Sequence, residues 1–333
     1  MNYRILILAL AVFTIVSCQN SPSKYIYNKG MVYGTIYSIT YESPNGIDLQ
    51  EKITEKFNEY NRMFSTYDKE SIISKINKNE PVTLSNEFII CYEKAVEVSK
   101  ITNGAFDITA GAMVNAWGFG PEEKKKMTQE KVDSLIEITG FQKIKLENGQ
   151  IIKENPNIKI DMSAIAKGYT SDLIANFLAE NGCKNYMVEI GGEVAAKGIN
   201  ERGKTWTIGI NKPDENDILG STGLQAKVKL TDHGLATSGN YRNFYVEDGK
   251  KYAHTIDPKT GYPVQHSILS STVVANDCMT ADAFATAFMV LGLDSSIEIT
   301  RNETEIEVFF IYADEQGNNQ VYMSDGFGEY IID

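Results

Sequence analysis

The sequence predicts an α+β fold, in which helices cover one mixed or largely antiparallel sheet and two lobes share one site. Three observations indicate this class. Helical spacing of apolar residues prevails in the first half of the chain, and short alternating segments between turns prevail in the second. A long apolar segment near residue 285 has the length of a buried helix. No repeat with a period of about 20–50 residues interrupts this pattern.

Helices are predicted where apolar residues recur three and four positions apart. On these grounds helices span residues 47–60, 85–102, 163–180 and 280–291. The charged segment 122–130 is predicted to be the solvated start of a further helix, with Val132, Leu135 and Ile136 on its buried face.

Strands are predicted where apolar and polar residues alternate and where β-branched or aromatic residues are frequent. They cover residues 33–42, 186–190, 193–197, 205–210, 223–229, 235–237, 244–246, 253–256, 270–275 and 306–313 with 321–323. Two further short strands flank Asn148-Gly149, a dipeptide typical of tight hairpin turns. Strands and helices together account for the α+β class.

The N-terminus has the pattern of an export signal. Arg4 precedes an apolar run over residues 5–16, and the small residue Ser17 stands directly before Cys18. The apolar run is shorter than the roughly 20 residues of a membrane span. The string Ile15-Val16-Ser17-Cys18 resembles a bacterial lipobox, in which cleavage precedes a lipidated cysteine. An uncleaved tail or plain secretion are the alternatives.

These features predict a lipoprotein signal peptide at residues 1–17, lipidation of Cys18, a tether at residues 18–30 and one domain at residues 31–333. The expected location is an exported, periplasm-facing, membrane-anchored lipoprotein of a Gram-negative-type cell envelope.

Charge and composition exclude several classes of protein. The 333 residues include 32 Lys+Arg and 44 Asp+Glu, for a net charge of −12, so we expect no nucleic acid partner. A hydrophobic content of 42% with 8 Pro excludes collagen-like and disordered classes. Cys91, Cys183 and Cys278 form no CxxC or Cys/His cluster, so we expect buried thiols and not structural zinc.

One motif matches a nucleotide-binding signature and is rejected. Residues 198–205 satisfy GxxxxGK[ST], but the following residues 206–210 alternate like a strand. A phosphate-binding loop requires its Lys and Thr at the start of a helix, whose free amides hold the phosphate. We therefore predict a polar hairpin loop here.

The helix at 280–291 carries a candidate metal site. Asp282 and Thr286 lie four residues apart and share one helix face. A carboxylate in an apolar helix requires a partner or a cation, and a set of oxygen ligands suits Mg²⁺. Alternatively, Asp282 complements the dipole of its own helix and Thr286 fills the core.

Two other segments carry candidate site residues. Asp161 and Ser163 stand where a strand ends and a helix begins, so the helix amides and Lys167 would hold an anion. Simple N-capping by Asp161 or Ser163 is the alternative. His254 is predicted on a strand that ends in a turn at Asp257-Pro258.

Read in order, nine blocks over about residues 33–292 resemble the ApbE family of periplasmic FAD:protein FMN transferases. The blocks are Tyr33-Gly34-Thr35, Ser65-Thr66-Tyr67, Gly104-Ala105-Phe106-Asp107-Ile108-Thr109, Asn115-Ala116-Trp117-Gly118-Phe119-Gly120, residues 161–168, Gly191-Gly192, Ala236-Thr237-Ser238-Gly239, residues 254–261 and residues 281–286. In one departure, Tyr33 stands where the family usually has Met, with Met31 two residues earlier. The resemblance therefore does not imply which side chain contacts the isoalloxazine ring at this position.

The resemblance implies that FAD is the substrate, that Mg²⁺ or Mn²⁺ contacts its pyrophosphate, and that FMN passes to a Ser or Thr hydroxyl with release of AMP. It implies metal ligands at the Ala164 carbonyl, Asp282 and Thr286, with Ala285 lining the site. The flavin and phosphate contacts that it implies are Tyr67, Ala105, Phe106, Asp107, Asp161, Lys167 and Ile256. The rings of Tyr67 and Phe106 would stack on flavin or adenine.

The residues themselves agree with phosphoryl transfer, which depends on positioning and charge neutralisation. Asp282 is the expected catalytic metal ligand, and His254 would assist deprotonation of the acceptor or orient the phosphate. The expected partners are acceptor flavoproteins, such as membrane redox subunits or exported flavinylated domains. A Mg²⁺-dependent FAD pyrophosphatase and a non-catalytic flavin-binding lipoprotein are the alternatives.

Overall fold

A computed structural model describes residues 24–213, 223–240, 244–247 and 250–332. The predicted signal peptide, Cys18 and the first part of the tether lie outside the described residues. The tether prediction is wrong for residues 24–30, because these residues belong to the first strand of the main sheet.

Strands and helices occur in the α+β pattern that the sequence predicts. The strands are β1 (Lys24–Val32), β2 (Thr35–Ser43), β3 (Ile144–Glu147), β4 (Gln150–Lys153), β5 (Tyr186–Ile190), β6 (Glu193–Lys197), β7 (Trp206–Asn211), β8 (Leu224–Leu230), β9 (His233–Gly239), β10 (Phe244–Glu247), β11 (Lys250–Ala253), β12 (Ile268–Ala275), β13 (Ile306–Ala313) and β14 (Asn319–Met323). The helices are α1 (Gln50–Phe64), α2 (Ile72–Lys78), α3 (Asn86–Ile101), α4 (Gly111–Ala116), α5 (Gln129–Glu137), α6 (Ala166–Glu180), α7 (Cys278–Leu291) and α8 (Leu293–Asn302).

The main sheet contains eight strands in the order β1-β2-β5-β6-β9-β12-β13-β14. Each neighbouring pair is antiparallel, which confirms the predicted class. The strand pairs β3-β4, β7-β8 and β10-β11 form separate two-stranded sheets. Among the described residues, no helix combines the length and apolarity that crossing a membrane requires.

Alternate residues of the central strands face two different cores. Ala195, Ala236 and Phe310 belong to the larger core, which the sheet shares with α1, α3, α6 and α7. The adjacent residues Val194 and Leu235 belong to a smaller core on the opposite side, which β7 and β8 cover. A third apolar cluster joins Trp117, in the turn after α4, to Ile256, two residues after His254. Both faces of the sheet are therefore covered.

Several predicted boundaries differ from the observed ones for local reasons. The helix predicted from residue 163 begins at Ala166, because the Ser163 amide donates to the Asp161 carboxylate at 2.8 Å and shapes a turn instead. Residues 122–128 are not helical, because Thr128 caps α5 through its side chain. The buried face of α5 includes Val132 as predicted.

The segment at 198–205 joins β6 to β7, which lie in different sheets. It is therefore a loop between layers and not a hairpin, and no helix follows Lys204 and Thr205. Rejection of the phosphate-binding loop is confirmed. Cys91, Cys183 and Cys278 are buried and free, as predicted.

Helix α7 lies at the centre of the molecule, where it packs on α6, β9 and β12. Two glycines permit this close approach. A Cβ on Gly168 of α6 would overlap the Cys278 carbonyl oxygen and lie 2.6 Å from the Cβ of Asp282. A Cβ on Gly234 of β9 would overlap the Cys278 amide. These contacts fix the helix that carries the predicted metal ligands.

Candidate functional site

The junction of α6 and α7 brings together the predicted metal ligands. Asp282 is 2% exposed, and its Oδ2 accepts a hydrogen bond from the Gly168 N–H at 2.9 Å. Its own helix is capped by Asp277, whose side chain accepts from the Thr280 N–H at 2.7 Å. Asp282 therefore faces the start of the neighbouring helix, and the alternative that it serves its own helix dipole is not what the structure shows.

This arrangement leaves the Ala164 carbonyl without a donor. The amides of Ile165 and Ala166 both donate to the Met162 carbonyl, and the Gly168 amide donates to Asp282. Within the part of the chain that the structure describes, no hydrogen bond ends on the Ala164 oxygen. A backbone carbonyl that accepts no hydrogen bond and a carboxylate are both oxygen ligands of the kind that Mg²⁺ takes.

Thr286 lies one turn along α7 from Asp282. Its Oγ1 is 3.2 Å from the Oγ of Ser238 on β9, so the hydroxyl faces the end of the sheet. Ala285 is fully buried next to it. In residues 24–213, 223–240, 244–247 and 250–332, no group of three or more His, Cys, Asp or Glu side chains is arranged to hold a metal. The oxygen set at this junction fits Mg²⁺ only if substrate or water completes the ligands.

Lys167 lies between two carboxylates. Its ammonium forms an ion pair with Glu193, the first residue of β6, which is 4% exposed. Burial opposes the charge on Lys167, but Asp282 and Glu193 outweigh burial and raise its pKa. Burial raises the pKa of Glu193 to about 7 and also raises that of Asp282, while Lys167 acts in the opposite direction on both. A positive charge is thus held beside the predicted metal ligands.

His254 is not on a strand, because β11 ends at Ala253. The chain turns here because the Thr255 hydroxyl donates to the Asn240 side chain at 2.7 Å. Asn240 follows the end of β9, two residues after Ser238. The bond from Thr255 therefore ties the segment next to His254 to the end of the strand whose Ser238 contacts Thr286.

Aromatic rings hold the segment around His254. The ring of Phe119 meets that of His254 at 6.4 Å and 70°. Trp117 donates from Nε1 to the Gly261 carbonyl at 2.8 Å, and Tyr252 stacks on Trp117 at 5.5 Å. These residues form a support that reaches from α4 to the loop after β11.

The block at 104–109 serves mainly packing. Phe106 is 2% exposed within the larger core, so the expected stacking of its ring on a ligand is not what the structure shows. Ala105 is buried as well. Asp107 accepts from Thr109 N–H at 2.8 Å and Phe141 N–H at 2.8 Å, and burial raises its pKa.

The other predicted ligand contacts differ in exposure. Tyr67 is 70% exposed, and its ring is free to meet a ligand. Ile256 is buried and pairs with Pro263. The Asp161 amide donates to the Ile108 carbonyl at 2.8 Å and its carboxylate binds the Ser163 amide, so neither Asp161 nor Ser163 caps α6.

Tyr33, at the departure from the family pattern, anchors the turn between β1 and β2. Its φ of 51° is left-handed, its hydroxyl donates to the Phe57 carbonyl at 2.8 Å, and its ring packs on Phe57 at 6.0 Å. Met31 is 69% exposed on β1. The Tyr33 side chain, which replaces the usual Met of the family, therefore attaches the β1–β2 turn to α1.

Sequence reasoning did not identify Gly168, Ser238, Asn240 or Glu193 as site residues. Two signals were present. A glycine inside a predicted helix costs stability and indicates close packing, and a charged residue that opens the apolar strand 193–197 indicates a buried partner. The glycine and the charged residue identify site residues only when the helix or strand that packs against them is known.

Comparisons with known proteins identify the family of this chain. The model of the ApbE family matches residues 33–310. A Vibrio cholerae protein named FAD:protein FMN transferase is 36% identical over 97% of this chain and 96% of its own length. A Haemophilus influenzae protein of the same name is 38% identical over 93% of each chain.

Solved structures show the same fold. The flavin transferase ApbE from Vibrio cholerae matches with a TM-score of 0.83 at 36% identity, covering 93% of this chain and 100% of that one. The apo flavinyl transferase ApbE from Pseudomonas stutzeri matches with a TM-score of 0.82 at 29% identity, covering 92% and 97%.

Proposed function

We propose, from the premise that this chain belongs to the ApbE family, that it transfers FMN from FAD to a Ser or Thr hydroxyl of an acceptor protein. The acceptor oxygen bonds to the phosphorus of the FMN half, the bond from that phosphorus to AMP breaks, and AMP leaves with the electron pair. The hydroxyl proton passes to a base. The observation that carries this proposal is the α6–α7 junction. There the Asp282 carboxylate, the Thr286 hydroxyl and the Ala164 carbonyl lie on adjoining segments, and Lys167 supplies a positive charge.

The metal in this proposal is Mg²⁺ or Mn²⁺. Asp282, Thr286 and the Ala164 carbonyl would hold it, because Asp282 is buried and the Ala164 oxygen receives no hydrogen bond within the described residues. When bound, such an ion supplies Lewis-acid stabilisation of a pyrophosphate. Substrate oxygens and water would complete the ligands, as is usual for Mg²⁺.

The chain itself contributes charge and position. Lys167 remains charged because two carboxylates flank it, and it lies in the first turn of α6, where free amides also favour an anion. His254 would accept the hydroxyl proton or orient the phosphate, and Phe119 holds its ring. The close packing of α6 on α7 would exclude water from one side of the reacting phosphorus.

Cell location enters the proposal through the N-terminus. Export, cleavage before Cys18 and lipid attachment at Cys18 are supported by the charge, the apolar run and the small residue before the cysteine. Membrane redox subunits and exported flavinylated domains are then within reach as acceptors. Metabolic labelling with a radioactive fatty acid tests this, with loss of label in a Cys18→Ser protein expected and retained label contradicting it.

The function is tested by incubating residues 24–333 with FAD, Mg²⁺ and a purified, flavin-free redox domain with a Ser/Thr acceptor segment. Intact mass spectrometry of the acceptor and quantification of AMP are the readouts. We expect an adduct of the mass of FMN and an equal amount of AMP, both lost when the acceptor hydroxyl residue is replaced by Ala.

Other outcomes separate the alternatives. AMP and free FMN without an adduct, for several acceptor domains, would indicate an FAD pyrophosphatase. Binding of FAD without release of AMP would indicate a flavin-binding lipoprotein. Either result would contradict the transferase.

A further inference from the structure

Glu193 is held rigidly at the edge of the site. It is the first residue of β6 and directly follows the turn at Gly191-Gly192. Its main-chain carbonyl accepts a hydrogen bond from the Ser171 hydroxyl of α6 at 3.1 Å. The sheet and the helix therefore both fix the position of this carboxylate.

The two carboxylate oxygens of Glu193 have different surroundings. Oε1 forms the ion pair with Lys167. Oε2 is buried, as is the whole residue at 4% exposed, and no group among the described residues donates a hydrogen bond to it. Folded proteins rarely leave a buried acceptor unpaired, because such an atom loses its water without compensation. An unpaired charged oxygen beside a reaction centre therefore indicates a ligand that supplies the missing donor.

The free oxygen lies close to two turns that contain glycine. A Cβ on Gly191 would lie 3.3 Å from Oε2 and 2.9 Å from the Cγ2 of Thr35, so Oε2 is close to the turn between β1 and β2. A Cβ on Gly34 or on Gly192 would meet no atom within 4 Å. The space beside Gly34 and Gly192 is therefore open to a group of the substrate.

We propose that Glu193 Oε2 accepts a hydrogen bond from a neutral O–H or N–H group of bound FAD, between the β1–β2 turn and the Gly191-Gly192 turn. The inference rests on the proposed function, which makes FAD the substrate. The donor is neutral because the Lys167 ammonium already occupies the other oxygen, and a second cation would be repelled. FAD carries such donors on its flavin half and on its adenosine half.

The test measures the affinities of four ligands by calorimetry, in the presence of Mg²⁺ and without acceptor. The ligands are FAD, ADP, riboflavin and adenosine. The proteins are the wild type, Glu193→Gln and Lys167→Met. Glutamine keeps the size of the side chain and one carbonyl oxygen, but it cannot accept through both positions. Lys167→Met removes the charge that would contact phosphate.

We expect Glu193→Gln to weaken FAD binding by about tenfold, the effect of one hydrogen bond to a charged group. Either riboflavin or adenosine should weaken by a similar factor, and that ligand identifies the half that supplies the donor. Lys167→Met should weaken FAD and ADP but neither phosphate-free ligand. If Glu193→Gln weakens only FAD and ADP, Glu193 acts solely through Lys167 and the ligand contact is refuted. No loss for any ligand refutes it as well.

A measurement on the wild type covers the case that Glu193→Gln does not fold. Analogues of riboflavin and adenosine that each lack one donor, through N-methylation or removal of one hydroxyl, are compared with the parent compounds. One analogue should bind about tenfold more weakly. Equal affinity of every analogue would overturn the inference. The transferase assay on the wild type reports separately on the proposed function.

Discussion

The two sides of the candidate site are held in place by different forces. At the α6–α7 junction, the buried carboxylates of Asp282 and Glu193 flank the half-buried Lys167, and the backbones touch at Gly168. Around His254, by contrast, aromatic rings support a half-buried loop whose contacts are mostly edge-to-face or stacked.

This difference indicates how strongly each side of the site should respond to amino-acid substitutions. Charges in a low-dielectric interior are costly to displace, and a close backbone contact leaves no room for adjustment. Aromatic contacts are broad and weakly directional, with about 0.5–1.5 kcal/mol for a pair beyond burial. We therefore expect sharp losses from changes at the junction and graded losses from changes around His254.

The largest effect is expected for Asp282→Asn. If Asp282 binds the metal as proposed, removing its charge takes away stabilisation of several kcal/mol, so the rate of AMP release should fall at least about 1,000-fold. Asp277→Asn is the matched control on the same helix, because asparagine also caps a helix well. Single-turnover AMP release measures both. A rate within tenfold of the wild type for Asp282→Asn would place the metal elsewhere.

His254→Gln should reduce the rate by about 100-fold, the usual contribution of a general base. His233→Gln is the control, because His233 contacts the Thr231 carbonyl near the opposite end of β9. Single-turnover AMP release at one pH measures both variants. A full rate in His254→Gln would remove His254 from the mechanism.

Gly168→Ala tests the close packing directly. The added Cβ would overlap the Cys278 carbonyl oxygen, and displacement of Asp282 should cost about tenfold to 100-fold in rate. Overpacking should also cost about 1–3 kcal/mol in unfolding free energy. At Gly328 an added Cβ meets nothing within 4 Å, so Gly328→Ala should change neither quantity. Denaturant unfolding measures the stability of both variants, and the AMP assay measures their rates. Equal stability and equal rates in Gly168→Ala and Gly328→Ala would refute the packing argument.

Trp117→Phe should show the graded response of the aromatic side. Loss of the bond from Nε1 to Gly261 should cost about 1 kcal/mol in stability and less than about tenfold in rate. Trp206 makes a similar bond to the Lys197 carbonyl at 2.9 Å in the smaller core, away from the site. Trp206→Phe should therefore lose similar stability and no activity. Loss of activity beyond 100-fold in Trp117→Phe would contradict the comparison.

The smallest effect concerns the far end of α7. His266 donates from Nε2 to the Met289 carbonyl at 2.6 Å and accepts at Nδ1 from the Ile268 amide. Burial lowers the pKa of His266, although the hydrogen bond to the Met289 carbonyl and the charge of Asp257 oppose this shift. The folded state then binds fewer protons than the unfolded state, so stability present above pH 6.5 should decline as the pH falls through the folded pKa.

His266→Gln keeps a donor and an acceptor but does not titrate. Thermal unfolding between pH 5 and 8 should therefore show a smaller decline toward acid pH in this variant than in the wild type. Parallel pH dependence in the two proteins would contradict the argument.

The sequence reveals the charged residues of the candidate site more readily than the residues that pack against them. Asp282 and Lys167 stand out because a charge in an apolar helix requires a partner wherever the helix lies. The partners themselves, Gly168 and Glu193, depend on which elements touch, and a sequence pattern does not specify that. The ring of Phe106 was misjudged because an aromatic residue in a glycine-rich loop has the same pattern whether it faces a ligand or the core.

Strand β1 shows why the tether was predicted too long. Its inward positions include Ile26, Asn28 and Gly30, of which only the first is apolar. Asn28 is buried because its side chain donates to Asp48 at 3.0 Å, a contact made across the fold. Alternation of apolar residues therefore does not reveal this strand.

We propose that the α6–α7 junction holds the metal of the reaction. Crystals grown with FAD and Mn²⁺ test it most directly through an anomalous difference map. We expect a peak about 2.1 Å from both the Asp282 carboxylate and the Ala164 carbonyl. This peak should be absent in Asp282→Asn. Bound FAD with the peak at other residues, or with no peak at all, would contradict it.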